Sequence, residues 1–236
     1  MTLPFTVNAN KTVKVIKVGR EQTPIIVIDD VLLAPRELAA DACQNQCFSR
    51  QNSGFYPGAR ADLPRDYTIE VLQSIYKQVA QIHHIPQHLQ LKHQAGYYSL
   101  ISTPSHALST LQRIPHFDAV SPFYFALLHY VNSGHHGGTG FFRDNNTGFE
   151  RITPVRERQY LSSAAHFINN VAQPPAGYIT ASTEQFTLHS QIDYRPNRLL
   201  IYPGNLLHSG LIASDKDINE DPASGRLTAN IFIDFV

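Results

Sequence analysis

The chain has 236 residues, 42% of them hydrophobic and 16% charged, which is enough apolar material for one sizeable core. Lys plus Arg and Asp plus Glu balance at 19 each, so no basic field exists to hold a nucleic-acid backbone. The opening residues lack the basic-then-apolar pattern of a signal peptide, and no apolar run approaches the ~18 residues of a membrane span. The expectation is a cytoplasmic protein that acts on neither nucleic acid nor a membrane.

The first elements are strand-like, TVKVIKV and PIIVID. PRELAADACQNQC follows as a helix, with Pro35 in the first turn, where its missing amide hydrogen is not needed. Cys43 and Cys47 within it are expected as reduced, partly buried thiols. NSGFYPGARADLP reads as a Gly/Pro-rich loop. DYTIEVLQSIYKQVAQIH places Val71, Leu72, Ile75, Val79 and Ile82 at helical spacing. Residues 1–88 therefore read as an α/β lead-in with buttressing helices.

From residue 89 the texture changes. LQLKHQAGYYSLIS, FYFALLHYVN, GTGFFR, QFTLHSQI, RLLIYP and TANIFIDF are short, aromatic-rich and divided by Pro, Gly and Asn, as strands of a sandwich are. One helix interrupts them near 153–171, with Thr153 as N-cap, Pro154 at the first helical position and an apolar stripe of Tyr160, Ala164, Phe167, Ile168 and Val171. The fold class is mainly β with flanking helices, a β-sandwich or jelly roll, in a single domain 1–236 whose core is 89–236.

Chemistry enters at RIPHFDAV. In an extended chain His116 and Asp118 share one face, and Pro115 biases Ile114 toward extended geometry. An imidazole and a carboxylate make two thirds of the 2-His-1-carboxylate set that suits Fe(II) and leaves coordination positions open. With twelve histidines in the chain, the spacing alone also arises by accident. The third ligand must come from elsewhere. His83, His84 and His88 fall in a polar turn, His93, His129 and His189 in strand-like runs, His106 in a loop and His166 in the late helix. His135 and His136 precede Gly137-Gly138 in a tight turn. His208 follows a strand and the Gly204-Asn205 turn, a path that can return a side chain to a barrel mouth. Arg226 and Thr228, two apart at the start of an apolar final strand, form one more pair. A buried guanidinium needs an anion and binds a carboxylate through its planar fork; the plain alternative pairs Arg226 with Asp217 or Asp221.

The order His-x-Asp, roughly ninety residues, His, then Arg about eighteen later resembles the Fe(II)- and 2-oxoglutarate-dependent dioxygenases, most closely their prolyl-4-hydroxylase-like branch. PHFD, HYVN with Gly137-Gly138-Thr139, LLIYPGNLLHSG, RLTANIFIDF and the lead-in VIDDVLLAPRELAADA carry the resemblance from about Ile25 to the end. It implies a double-stranded β-helix with His116, Asp118 and His208 as catalytic iron ligands. It further implies Arg226, supported by Thr228, at the distal carboxylate of 2-oxoglutarate, and dioxygen as the other cosubstrate. Many relatives add a tyrosine from the strand before His-x-Asp; Tyr98 is the expected one, Tyr97 the alternative. The helix at 153–171 departs from a minimal core, and DKDINEDPASG lengthens the interval between His208 and Arg226. The implied activity is hydroxylation of an amino acid, peptide or small metabolite. Arg60, Arg143, Asn145, Asn146 and Arg151 in loop-like contexts are the specificity candidates, with Arg60 or Arg143 meeting a substrate carboxylate. Phe117, Phe123, Phe125, Phe141 and Phe232 divide between core and pocket wall. The alternatives are a jelly roll that binds metal without oxygenase chemistry, such as a cupin-like isomerase or small-ligand sensor, and a scaffold that only binds a partner protein.

Overall fold

The computed structural model describes residues 5–50, 55–212 and 216–236. The chain opens with the hairpin β1 (Thr12–Val18) and β2 (Thr23–Asp29), then α1 (Pro35–Gln44), β3 (Ser49–Arg50), β4 (Gly58–Asp62), α2 (Arg65–Ile82) and β5 (Leu91–Ile101). It continues through β6 (Tyr124–Tyr130), β7 (Thr139–Asp144), α3 (Pro154–Asn170), β8 (Phe186–Ile192), β9 (Leu199–Pro203), β10 (His208–Gly210) and β11 (Leu227–Phe235). Eight strands form one sheet in the order β1-β2-β9-β6-β11-β5-β4-β3, and three form a second in the order β10-β7-β8. The fold is mostly β with few helices. Four strands of the first third join the same large sheet as the later ones, so the lead-in is part of that sheet rather than a layer leaning on it.

Alternation along the strands gives this sheet two different faces. Ile26, Ile28, Tyr98, Leu100, Phe125, Leu127, Leu199, Ile201, Ile231 and Ile233 point one way and pack on Leu38 and Ala42 of α1 and Tyr67, Val71, Ile75 and Val79 of α2. Ile25, Val27, Ala126, Tyr130, Leu200 and Tyr202 point the other way and meet Phe141 and Ile192 of the small sheet. Helix α3 covers the small sheet through Tyr160 and Ala164, which pack with Phe142, Phe186 and Leu207, and its Phe167 is buried as well. Ile168 lines the cavity described below, while Val171 is 56% exposed and lies past the helix end. Thr153 does sit at the N-cap, but its hydroxyl makes no capping bond; its carbonyl accepts the Arg156 and Glu157 amides.

Three local expectations change. NSGFYPGARADLP is not all loop: Gly58–Asp62 is a strand paired with β5, so Arg60 sits on a sheet. Its two alanines and a glycine lack the bulky β-branched side chains by which strands are recognised. RIPHFDAV is not a full strand; His116 makes a single antiparallel bridge to His208, and the chain then bends at Asp118. Cys43 and Cys47 are free and both exposed rather than partly buried, and α1 ends before Cys47.

Candidate metal centre and its cavity

His116 and His208 face each other through backbone as well as side chain. The His116 amide donates to the His208 carbonyl and the His208 amide to the His116 carbonyl, both at 2.9 Å, and the two rings lie 4.3 Å apart. Asp118 is fixed by its own amide, which donates to the Gly204 carbonyl at 2.7 Å. One ligand atom from each of His116, Asp118 and His208 falls within 4.8 Å of the others. The Asp118 carboxylate lies 3.9 Å from His116 Nε2 and 3.7 Å from His208 Nε2.

Proton states suit metal binding. His208 Nδ1 lies 2.8 Å from the Leu206 carbonyl. A carbonyl only accepts, so Nδ1 carries the hydrogen and Nε2 keeps its lone pair toward Asp118. Burial pushes His208 down to about 4, against a small opposing contribution from that hydrogen bond. Burial, with His208 nearby, pushes His116 down to about 4 as well, although 57% of its side chain is open to the cavity. Both imidazoles are thus neutral near pH 7. Burial raises Asp118, while His116 and Arg60 pull it back. A bound dication would hold this carboxylate ionised.

The three side chains stand in the wall of a cavity of about 680 Å³, between the inner face of the large sheet and a cover from α3 and the 110–117 segment. Arg226 and Thr228 line the same cavity. Arg226 is 3% exposed; its Nε donates to the Gly137 carbonyl at 2.7 Å and Nη2 to the Gly138 carbonyl at 3.1 Å. That turn must be glycine. A Cβ on Gly137 would collide with the Leu211 carbonyl, and one on Gly138 with the Ile192 carbonyl. Among the described residues no carboxylate lies within ion-pair distance of Arg226: Asp217 pairs with His136 at 2.9 Å, and Asp221 accepts amides of its own turn. The Thr228 hydroxyl donates to the Ser99 carbonyl at 3.4 Å.

Tyr98 does not reach the cavity. It points to the helix face, where its hydroxyl donates to Asp41 Oδ2 at 2.9 Å and lies 3.1 Å from the Leu38 carbonyl. β5 has the opposite parity from that expected, so Tyr97 turns toward the cavity side, against the Arg60 guanidinium. Arg143 is held by Glu150 at 3.3 Å and Arg151 by Glu21 at 2.8 Å, so both work in the scaffold, and Asn145 bonds the Glu184 carbonyl. Of the phenylalanines, Phe117 and Phe232 line the cavity, whereas Phe125 and Phe141 are core. His129 is core too, bonded to Tyr67 and Asn197. His83, expected as a turn residue in solvent, packs on Phe125 at 4.5 Å and is pushed down to about 4 by burial. Sequence reading missed Tyr56, Tyr178, Tyr202 and Asn230, all in the cavity wall. Asn230 alone left a trace, a polar residue two after Thr228 in an otherwise apolar strand.

A family model described as a family of unknown function, DUF6445, matches residues 9–233. The chain belongs to that family. No curated protein matches this DUF6445 chain. Among solved structures, HygX from Streptomyces hygroscopicus with nickel, 2-oxoglutarate and hygromycin B bound aligns at 14% identity and a TM-score of 0.47, covering 92% of this chain and 87% of that one. The non-heme alpha ketoglutarate dependent epimerase SnoN from nogalamycin biosynthesis aligns at 12% identity and a TM-score of 0.44, covering 91% and 77%. At this degree of likeness the function has to be read from this chain's own residues. Among those described, no helix is long and apolar enough to cross a membrane.

Proposed function

We propose that this DUF6445 chain is an Fe(II)- and 2-oxoglutarate-dependent oxygenase of the double-stranded β-helix class, of the prolyl-4-hydroxylase-like branch, acting on an amino acid, peptide or small metabolite. The observation that carries the reading is the pairing, in one cavity, of a His–Asp–His set with a buried arginine that, among the described residues, has no carboxylate within ion-pair distance. His116, Asp118 and His208 would hold the iron, and their donor set suits Fe(II) with positions left open. When bound, the iron and 2-oxoglutarate supply oxidation of a C–H bond coupled to decarboxylation of the cosubstrate.

The chain's own part is orientation and water exclusion. The Leu206 carbonyl keeps the His208 lone pair aimed at the ligand set. Arg226, pinned by the Gly137 and Gly138 carbonyls and seated 5.6 Å from the centre of the Tyr130 ring, would present its remaining donors to the distal carboxylate of 2-oxoglutarate. A metal-binding isomerase or sensor would need no anchor for 2-oxoglutarate at Arg226. Ile114, Phe117 and Leu161 line the same cavity and would keep bulk water from the reacting centre.

Anaerobic addition of Fe(II) and 2-oxoglutarate to the protein should produce the weak visible charge-transfer band of the chelate, and His208→Ala should abolish it. Absence of the band from the wild-type protein, with no 2-oxoglutarate binding by calorimetry, would exclude this function. A band that survives His208→Ala unchanged would exclude the ligand assignment.

A further inference from the structure

The cavity holds a second arginine, and the cosubstrate leaves it unused. Arg60 projects from β4 between two aromatic faces, its guanidinium 4.7 Å from the Tyr56 ring centre and 5.0 Å from that of Tyr97. Stacking of this kind fixes the plane of the guanidinium and leaves its edge, with the N–H groups, free to bind. Arg60 Nε is buried without a hydrogen-bond partner, and among the described residues no carboxylate lies within ion-pair distance. Two hydroxyls share this condition: Tyr56 Oη and Ser99 Oγ are buried without a well-formed hydrogen bond, in a cluster that includes both arginines. In the sheet Arg60 pairs with Ser99 and Ser99 with Thr228, so Arg60 and Thr228 are separated only by the width of β5.

Charge counting shows what is missing. The ionised side chains of the cavity wall are Asp118, Arg60 and Arg226. Iron(II) and the 2-oxoglutarate dianion cancel one another, which leaves a net single positive charge in a largely apolar cavity. Such a charge is costly unless a second anion accompanies it. Arg226 has two donors committed to carbonyls and serves the cosubstrate; Arg60 has none committed. The opposite wall, with Leu111, Leu161 and Ile168, is apolar.

Resting on the oxygenase reading above, we propose that the substrate is a monocarboxylate with an apolar body, and that Arg60, clamped by Tyr56 and Tyr97, binds its carboxylate. A single guanidinium among neutral side chains matches one carboxylate in charge and planar shape, and a phosphate dianion would be left half-neutralised.

The test uses N-acetyl-L-phenylalanine, N-acetyl-L-leucine and N-acetyl-L-methionine, each beside its primary amide, titrated by calorimetry into anaerobic protein loaded with Fe(II) and 2-oxoglutarate. At least one acid should bind about ten-fold or more tighter than its amide, as expected for a charge-assisted pair. Arg60→Gln should remove that preference while keeping the chelate band, and Arg60→Lys should retain part of it. Equal binding of every acid and its amide, no binding of any acid, or a preference unchanged in Arg60→Gln overturns the proposal. So does loss of the band in Arg60→Gln with retention in Arg226→Gln, which would make Arg60 the cosubstrate anchor. If the wild-type protein gives no band, the oxygenase reading fails. The acid-over-amide preference, measured then on apoprotein in Arg60→Gln and Arg226→Gln, still decides whether Arg60 is a carboxylate site.

Discussion

The two faces of the large sheet are made by the same strands, residue beside residue, yet they differ in how they hold polar atoms. On the helix face Tyr98 and His129 are partnered, and His83 Nε2, buried against Phe125 without a hydrogen bond, is the exception. The Tyr98 hydroxyl reaches α1, and His129 is held at one nitrogen by Tyr67 at 2.9 Å and at the other by Asn197 at 3.2 Å. On the cavity face Arg60 Nε, Ser99 Oγ and Asn230 Oδ1 are buried and unpartnered. Folded proteins seldom leave such groups unpaired. Buried polar atoms that are all satisfied belong to the scaffold; a cluster of unsatisfied ones around a cavity is the imprint of a guest.

Substitutions on the two faces test this contrast. The largest effect is expected on the cavity side: Arg226→Gln should weaken 2-oxoglutarate binding roughly 30-fold or more by calorimetry, the loss typical of one partner of a buried charge pair, and leave the metal affinity intact. On the helix face Tyr67→Phe should lower unfolding free energy by about 1–3 kcal/mol in denaturant melts, because it strands a buried His129 nitrogen. Ser99→Ala should move stability by less than about 0.5 kcal/mol, since its hydroxyl makes no well-formed hydrogen bond. Should Ser99→Ala prove as costly as Tyr67→Phe, the two faces would not differ in the way described.

Acid offers a further comparison. His129 on the helix face and His208 in the site are both buried and both pushed down to about 4. Each is depressed below its unfolded value of about 6.5, so the unfolded chain takes up protons first as pH falls. Their contribution to stability is full above about pH 6.5 and is lost progressively toward pH 4. Thermal melts across that window should show a steady decline. His129→Gln should flatten the part that belongs to His129, and His208→Gln the part that belongs to the site.

Much of this was legible before any coordinates, and the failures share one cause. The outline of RLLIYP, TANIFIDF and FYFALLHYVN as strands follows from their apolar runs, whereas the grouping of His116, Asp118 and His208 was implied by the resemblance of their order to a known family's pattern. Tyr97 and Tyr98 could not be separated in this way. Both are aromatic neighbours in YYS, and strand parity is decided by pairing with β11 and β4, a long-range matter. Arg60 looked like a loop residue because its strand is short and built from glycine and alanine. Tyr178 was hidden for a similar reason: no strand or helix carries it, and its hydroxyl ties its segment to the cavity by bonds to the Thr103 and Pro57 carbonyls.

The reciprocal backbone bridge between His116 and His208 has a kinetic consequence. The separation of the two imidazoles is set by peptide hydrogen bonds and not by the metal, so the entropy of drawing two remote stretches of chain together is lost once, on folding. An incoming ion then has only side chains to adjust. The empty and filled forms should share one backbone, and the ion can leave and return without the ligand set dispersing between visits.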